Sequence, residues 1–206
     1  MAQKRVSVYV DGFNLYHALD DLNQDHLKWL DLWSLCEKII AQDGSEVLDT
    51  VKYFSAYATW REKSMRRHQR YVAALRAQGV TVVMGRFKEK RNRCRSCGTK
   101  YISHEEKETD VNIALKLLEF SVTDKFDKAV IISGDSDLIP PVLKIKQLTP
   151  NKKTLCIVPK KGHDLMTTCH SGTRLKKKHL EKSLFPKIIK SNKRVIECPK
   201  EEWLPQ

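Results

Sequence analysis

The chain has 206 residues, 41% hydrophobic and 31% charged, which fits one domain of ordinary size and excludes disordered or collagenous classes. No apolar run approaches the ~18 residues of a membrane span, and the apolar stretch in MAQKRVSVYVDG is too short for a signal peptide; no membrane partner is expected, and a cytoplasmic chain with six reduced or metal-bound cysteines is. The net charge of +13 is uneven: residues 61–100 hold 13 Lys/Arg against 2 acids and residues 159–206 hold 12 against 5, so a mildly acidic body carries two basic stretches suited either to a polyanionic partner or to solubility alone. In chain order, RVSVYV (5–10) predicts a strand, and Leu15, Ala18, Leu19 and Leu22 predict a helix over 14–22. A helix over 31–42 closes at Gly44, and TVKYFSAYA (50–58) reads as a strand. Residues 61–78 read as a helix with Met65, His68, Val72 and Leu75 on one face, capped by Gly79; a strand starts at 80–83. Residues 88–104 break the pattern as an inserted loop. A helix over 109–121, a buried strand over 128–133, a helix over 136–148 with Pro140 and Pro141 near its first turn, and a strand over 154–158 follow. From Pro159 the chain is basic and less periodic.

This alternation predicts an α/β fold, a parallel sheet with helices on both faces, spanning residues 1–158. The basic segment 159–206 is expected to pack on that domain, with 175–190 as a final amphipathic helix or a further surface for the polyanionic partner. In such sheets the site lies past the carboxyl ends of the strands, where strand order reverses. Two predicted strands end there in acids: Asp11-Gly12-Phe13-Asn14 and Ser133-Gly134-Asp135-Ser136-Asp137. Asp110 adds a third acid in the first turn of a helix, after Glu105, Glu106 and Glu108. Each alone is as well explained by a turn or a helix cap. Together, converging carboxylates repel unless a hard divalent cation sits among them, and an oxygen-only donor set suits Mg²⁺ or Mn²⁺.

The segments VYVDGFNLYHAL (8–19), EEKETDVNIALKLLE (105–119) and AVIISGDSDLIPPVLKIKQL (129–148) resemble the NYN family, its LabA-like branch, a relative of the PIN-domain nucleases, in order, spacing and identity across residues 5–158. The resemblance implies a Rossmann-like, PIN-like three-layer fold and metal-dependent cleavage of RNA, with endonuclease action expected. It implies that Asp11, Asp110 and Asp135 hold the metal, that Asp137 is a further acid of the site, that Asn14 orients a ligand or water, and that Ser133 supports the cluster by hydrogen bonding. Asp110 or Asp137 is left to position the attacking water. No serine or histidine nucleophile is needed for such a displacement.

Cys94-Arg-Ser-Cys97-Gly98 has the spacing of a zinc knuckle and supplies half of a tetrahedral site. His104 is the nearest third ligand; His68, Cys36 or a second copy in a homodimer are the other sources. A free thiol pair is the alternative. The same segment carries Lys88, Lys90, Arg91, Arg93, Arg95 and Lys100, so a basic hairpin beside the acids would grip a nucleic-acid backbone. Tyr101 could stack on a base or pack in the body. Arg61, Arg66, Arg67 and Arg70 crowd one helix as a second basic surface. A haloacid-dehalogenase-type phosphatase needs an acid where Phe13 stands, a dinucleotide enzyme needs G-x-G-x-x-G after the first strand, and a zinc DNA reader needs a complete finger. The reading from a different class is a non-catalytic RNA-binding module of the same fold.

Overall fold

A computed structural model describes residues 3–40, 44–191 and 194–203. In chain order the elements are β1 (Lys4–Asp11), α1 (Gly12–Asp20), α2 (Leu32–Ile39), β2 (Glu46–Ser55), α3 (Glu62–Ala77), β3 (Thr81–Met84), β4 (Arg86–Arg93), β5 (Lys100–Lys107), α4 (Thr109–Val122), β6 (Lys128–Ile132), α5 (Ile139–Leu148), β7 (Lys153–Val158), α6 (His163–Thr168), β8 (Ser171–Arg174), α7 (Lys177–Glu181), β9 (Ile188–Ser191) and β10 (Arg194–Glu197). The predicted end of the second helix at residues 41 and 42 lies outside the described residues.

Six parallel strands form one sheet in the order β3-β2-β1-β6-β7-β8. The alternation of β1 explains the layers. Val6, Val8 and Val10 point to one face and pack with Leu15 and Leu19 of α1, Leu32 and Leu35 of α2, and Val72 and Leu75 of α3. Tyr9 points to the other, with Ile113 and Leu117 of α4, Val142 and Ile145 of α5, and Phe54, Ala129 and Ile131 of the sheet. Helices therefore cover both faces, which is the three-layer arrangement expected. Strand order reverses between β1 and β6, and this places the carboxyl end of β1, Asp11, beside the residues that follow β6, Ser133 to Asp135.

Three expectations change in detail. The segment 88–104 is an antiparallel hairpin, β4–β5, rather than a loop, with Arg86 opposite Lys107 and Arg93 opposite Lys100. It lacks an apolar stripe; its register comes from the backbone ladder and from pairs such as Lys90 Nζ to Glu105 Oε1 at 2.5 Å. The helix expected over 136–148 starts as a 3₁₀ turn, Ser136–Leu138, before α5. The sheet also draws its edge strand, β8, from beyond residue 158.

The segment 175–190 is not one amphipathic helix: it holds only the short α7, and β9 pairs with β10 as a separate ribbon. Its apolar residues still join the body. Phe185 is 3% exposed and sits 5.5 Å, ring centre to ring centre, from Trp29. Trp29 Nε1 donates to Pro186 O at 3.0 Å, Asp31 N donates to Ser183 O at 2.7 Å, and Phe185 N donates to Trp29 O at 3.0 Å. Leu180, Ile196 and Cys198 are buried in the same cluster. The C-terminal segment is thus part of the core. Phe185→Ala should lower the unfolding free energy by about 3–5 kcal/mol, the usual effect of emptying a buried phenylalanine site. Urea unfolding followed by tryptophan fluorescence measures it; a loss below about 1 kcal/mol would mean the tail is an appendage.

Candidate active site

Asp11 closes β1 and also caps α1: its Oδ1 accepts from Asn14 N at 3.0 Å. Its Oδ2 accepts from the Ser133 hydroxyl at 2.8 Å. Asp135 repeats the device after β6, its Oδ1 accepting from Asp137 N at 2.9 Å to cap the 3₁₀ turn. Asp135 N in turn donates to Ser133 Oγ at 3.1 Å, so one serine links both acids. The amide oxygen of Asn14 accepts from Gly134 N at 3.0 Å and ties the two strand-end loops together. Capping and site-building are therefore the same interactions, not rival explanations of these acids. Asp110 comes from the first turn of α4, which packs on the same sheet face as Tyr9. Three helical N-termini thus aim at one crevice and lend it partial positive charge.

One carboxylate oxygen from each of Asp11, Asp110 and Asp135 can be chosen so that all lie within 4.8 Å of one another. Among the described residues, no lysine or arginine forms an ion pair with any of the three. Asp11 is 4% exposed, and burial, offset by its Asn14 and Ser133 hydrogen bonds, pushes its carboxyl up. Burial first, then the charges of Asp11 and Asp135, push Asp110 up to about 6 from 3.8. Mutual repulsion with donors on only one side is the condition that a divalent cation relieves, and all-carboxylate donors match a hard cation. The residues present fit such an ion.

The crevice is a cavity of about 350 Å³ whose walls include these three acids, Asn14, Glu106, Lys160 and Lys161. Asp137 is exposed, its backbone amide holds Asp135, and its side chain is not one of the three clustered ligands, although its charge adds to those that raise Asp110. Asn14 reaches the cavity, but its side-chain oxygen is engaged by Gly134.

Sequence reading missed three residues of this wall. Glu106 sits on β5 opposite Phe87; its Oε1 is buried without a hydrogen-bond partner, and burial raises its pKa. The available signal was its place in the acidic run before Asp110. Lys160 and Lys161 follow β7, the next strand end along the sheet, and are brought in by a close backbone crossing. A Cβ on Gly134 would stand 1.6 Å from Lys161 O, and Gly162, at φ +145°, lies against Gly134.

The cysteine pair occupies the tip of the β4–β5 hairpin. Gly98, at φ +74°, closes the turn by donating from its amide to Cys94 O at 3.0 Å. Cys97 is exposed, and contacts from Thr99 and then Cys94 lower its thiol to about 7. The other suggested zinc ligands are held elsewhere. His104 lies on β5 stacked on Trp60, at 3.6 Å and 8°; four residues past Lys100, it is roughly 13 Å along the strand from the tip. His68 meets the Tyr53 hydroxyl at 3.2 Å, and Cys36 is buried in the core. Of the basic residues, Arg91, Arg93 and Arg95 sit on the hairpin and Tyr101 beside them is exposed, while Arg66 pairs with Glu62 at 2.5 Å and Arg70 is exposed on α3. Arg61 and Arg67 face a second cavity, described below.

The NYN domain model matches residues 5–174. The chain belongs to the NYN domain family. The matched span runs from β1 through β8 and so takes in every strand of the six-stranded sheet. Among curated proteins, the NYN chain is 27% identical over 244 aligned positions, 98% of this chain and 76% of the other, to 6-hydroxy-3-succinoylpyridine 3-monooxygenase HspA of Pseudomonas putida (strain DSM 28022 / S16). Among solved structures, it superposes with a TM-score of 0.59 on a protein of unknown function from Vibrio parahaemolyticus RIMD 2210633, covering 85% of this chain and 94% of that one at 17% identity, a likeness of fold. No helix among the described residues is long and apolar enough to cross a membrane.

The Asp110 geometry carries a pH prediction. Its folded-state pKa lies above the unfolded value, so the unfolded chain binds fewer protons between pH 4 and 6, and stability falls as pH rises through that window. Asp110→Asn should therefore melt higher than wild type in EDTA at pH 7.5, by about 2–4 °C after allowance for solvent screening. The gap should close as pH falls toward 4. A thermal melt series checks both; a variant that melts lower at pH 7.5 would show that the carboxylates do not repel.

Proposed function

We propose that this NYN protein is a metal-dependent ribonuclease that cuts RNA internally at the crevice of Asp11, Asp110 and Asp135. The supporting observation is their convergence, within 4.8 Å, at the reversal point of a parallel sheet. Mg²⁺ or Mn²⁺ is the ion that suits these donors, and when bound it neutralises the phosphodiester and activates water for in-line displacement. The chain's own residues do the rest. Ser133 and the capping amides fix the rotamers of Asp11 and Asp135. In this reading Asp110, which lines the crevice, orients the attacking water. Lys160 and Lys161 line the same cavity, where they meet the phosphate. The arginines of α3 and of the hairpin hold the backbone without reading sequence.

Two smaller assignments belong to this reading. Zinc sits on Cys94 and Cys97 at the hairpin tip, with the other two ligands from a second copy of the chain, because His104, His68 and Cys36 are engaged elsewhere. A cytoplasmic location agrees with six free cysteines.

A second reading rests on the aromatic cavity beside the acids and on the curated relative, whose name gives it a monooxygenase activity on a hydroxypyridine. It requires oxygen uptake with that pyridine and an added reductant such as reduced nicotinamide nucleotide.

The deciding experiment incubates labelled single-stranded and structured RNAs with Mg²⁺, Mn²⁺ or EDTA, using wild type and Asp135→Asn. Cleavage that needs the metal and falls by at least about a hundredfold in the variant is expected, as for loss of a group that stabilises transition-state charge. RNA bound but uncut under every metal would make the chain a binding module. Oxygen uptake without cleavage would favour the second reading.

A further inference from the structure

The larger cavity, about 690 Å³, opens between α1, α3 and the β4–β5 hairpin and adjoins the acidic crevice: Phe13, His17 and Glu106 line both. That volume lies within the ~300–1,000 Å³ range of small-molecule sites. One wall is a relay of rings. Trp60 stacks on His104 at 3.6 Å, Phe87 meets Trp60 edge-on at 4.7 Å and 82°, and Phe13 meets Phe87 edge-on at 5.4 Å and 88°. The relay therefore runs from Trp60, 39% exposed, to a residue two positions after Asp11. Arg61, Arg67 and Lys28 also line the cavity, among the acids Asp25, Glu106, Glu201 and Glu202.

We propose that this cavity receives one unpaired nucleobase of the RNA strand, next to the phosphodiester held at Asp11, Asp110 and Asp135, and thereby restricts the enzyme to single-stranded RNA. The proposal rests on the ribonuclease reading above. An aromatic ring with an accessible portion, in a cavity that shares a wall with the acidic crevice, offers a face for one base while the adjoining backbone reaches the acids. Base–aromatic stacking is tolerant of sequence because every base has a π-face. A base inside a duplex is stacked between its neighbours and has to be extruded to enter a pocket, at a cost of a few kcal/mol. The cavity thus favours strands whose bases are already free. The rings come from three separate parts of the chain: Phe13 from α1, Trp60 from the loop after β2, and Phe87 and His104 from the hairpin.

The test measures equilibrium binding and cleavage of a short single-stranded RNA, its annealed duplex, and a set of the same strand with one abasic residue moved across the cut position. Binding uses Asp135→Asn so that the strand survives; cleavage uses wild type with Mn²⁺. One abasic position adjacent to the cut should weaken binding about tenfold, as expected for one lost base–aromatic stack. Trp60→Ala should weaken the intact strand by a similar factor and no longer respond to that abasic position, whereas Trp60→Phe should keep most of the affinity. Wild type should cut the single strand at least about tenfold faster than the duplex. Equal binding of intact and abasic strands, an unchanged Trp60→Ala, or equal cutting of duplex overturns the proposal, and so does absence of RNA binding. Abasic- and Trp60-dependent binding without cleavage would leave the base site standing and overturn the nuclease reading; cleavage indifferent to both would do the reverse. Binding of 6-hydroxy-3-succinoylpyridine that depends on Trp60, with RNA binding that does not, would assign the cavity to the second reading.

Discussion

Bringing Asp11, Asp110 and Asp135 to within 4.8 Å opposes folding, because each charged pair at that distance repels by about 3 kcal/mol at an effective dielectric constant near 20. The rest of the architecture answers that constraint. Each acid stands at the start of a helix or a 3₁₀ turn, where unpaired backbone amides offer positive charge. Ser133 donates to Asp11 and accepts from Asp135 N, and Asn14 locks the first loop to the second. Burial, and after it the repulsion that remains, makes the carboxyls of Asp110 and Glu106 hold their protons more tightly than free ones. A site left partly uncompensated is the usual mark of groups selected for chemistry rather than for stability.

Two peripheral elements complete the crevice. The β4–β5 hairpin contributes Glu106, Phe87 and His104, and so joins the acids to the aromatic cavity. The segment after β7 crosses back over the β6 end through the contact of Gly134 with Lys161 and Gly162, which only the absence of side chains permits, and this carries Lys160 and Lys161 to the acids. Positive charge is thus delivered beside the acids without being paired to them. Lys160 itself is paired with Asp21, which caps the C-terminal end of α1.

The C-terminal segment illustrates how composition can mislead. Its lysines suggest a surface, yet Leu180, Phe185, Ile196 and Cys198 are buried against α2 and α3, and Trp29 grips it through its ring and its indole nitrogen. Lysines there face solvent while the apolar residues between them close the layer on that side of the sheet.

Strand–helix alternation, the apolar alternation of RVSVYV and the two Asp-ended strands were readable in the amino-acid order, because side-chain periodicity and turn chemistry are local. They led to the parallel sheet, to its reversal point and to acids gathered there; the choice of Asp11, Asp110 and Asp135 as partners came from the resemblance to the NYN family. The hairpin at 88–104 was not readable as strands, since its order depends on cross-strand pairing of charged residues with no apolar stripe. The parting of His104 from the cysteines, the exposure of Asp137, and the arrival of Glu106, Lys160 and Lys161 at the acids depend on contacts between residues far apart in the chain. Sequence alone determined which chemistry-bearing residues stand at strand ends; tertiary packing decided which of them meet, because spatial proximity across a sheet is set by strand order and backbone crossings that no local pattern encodes.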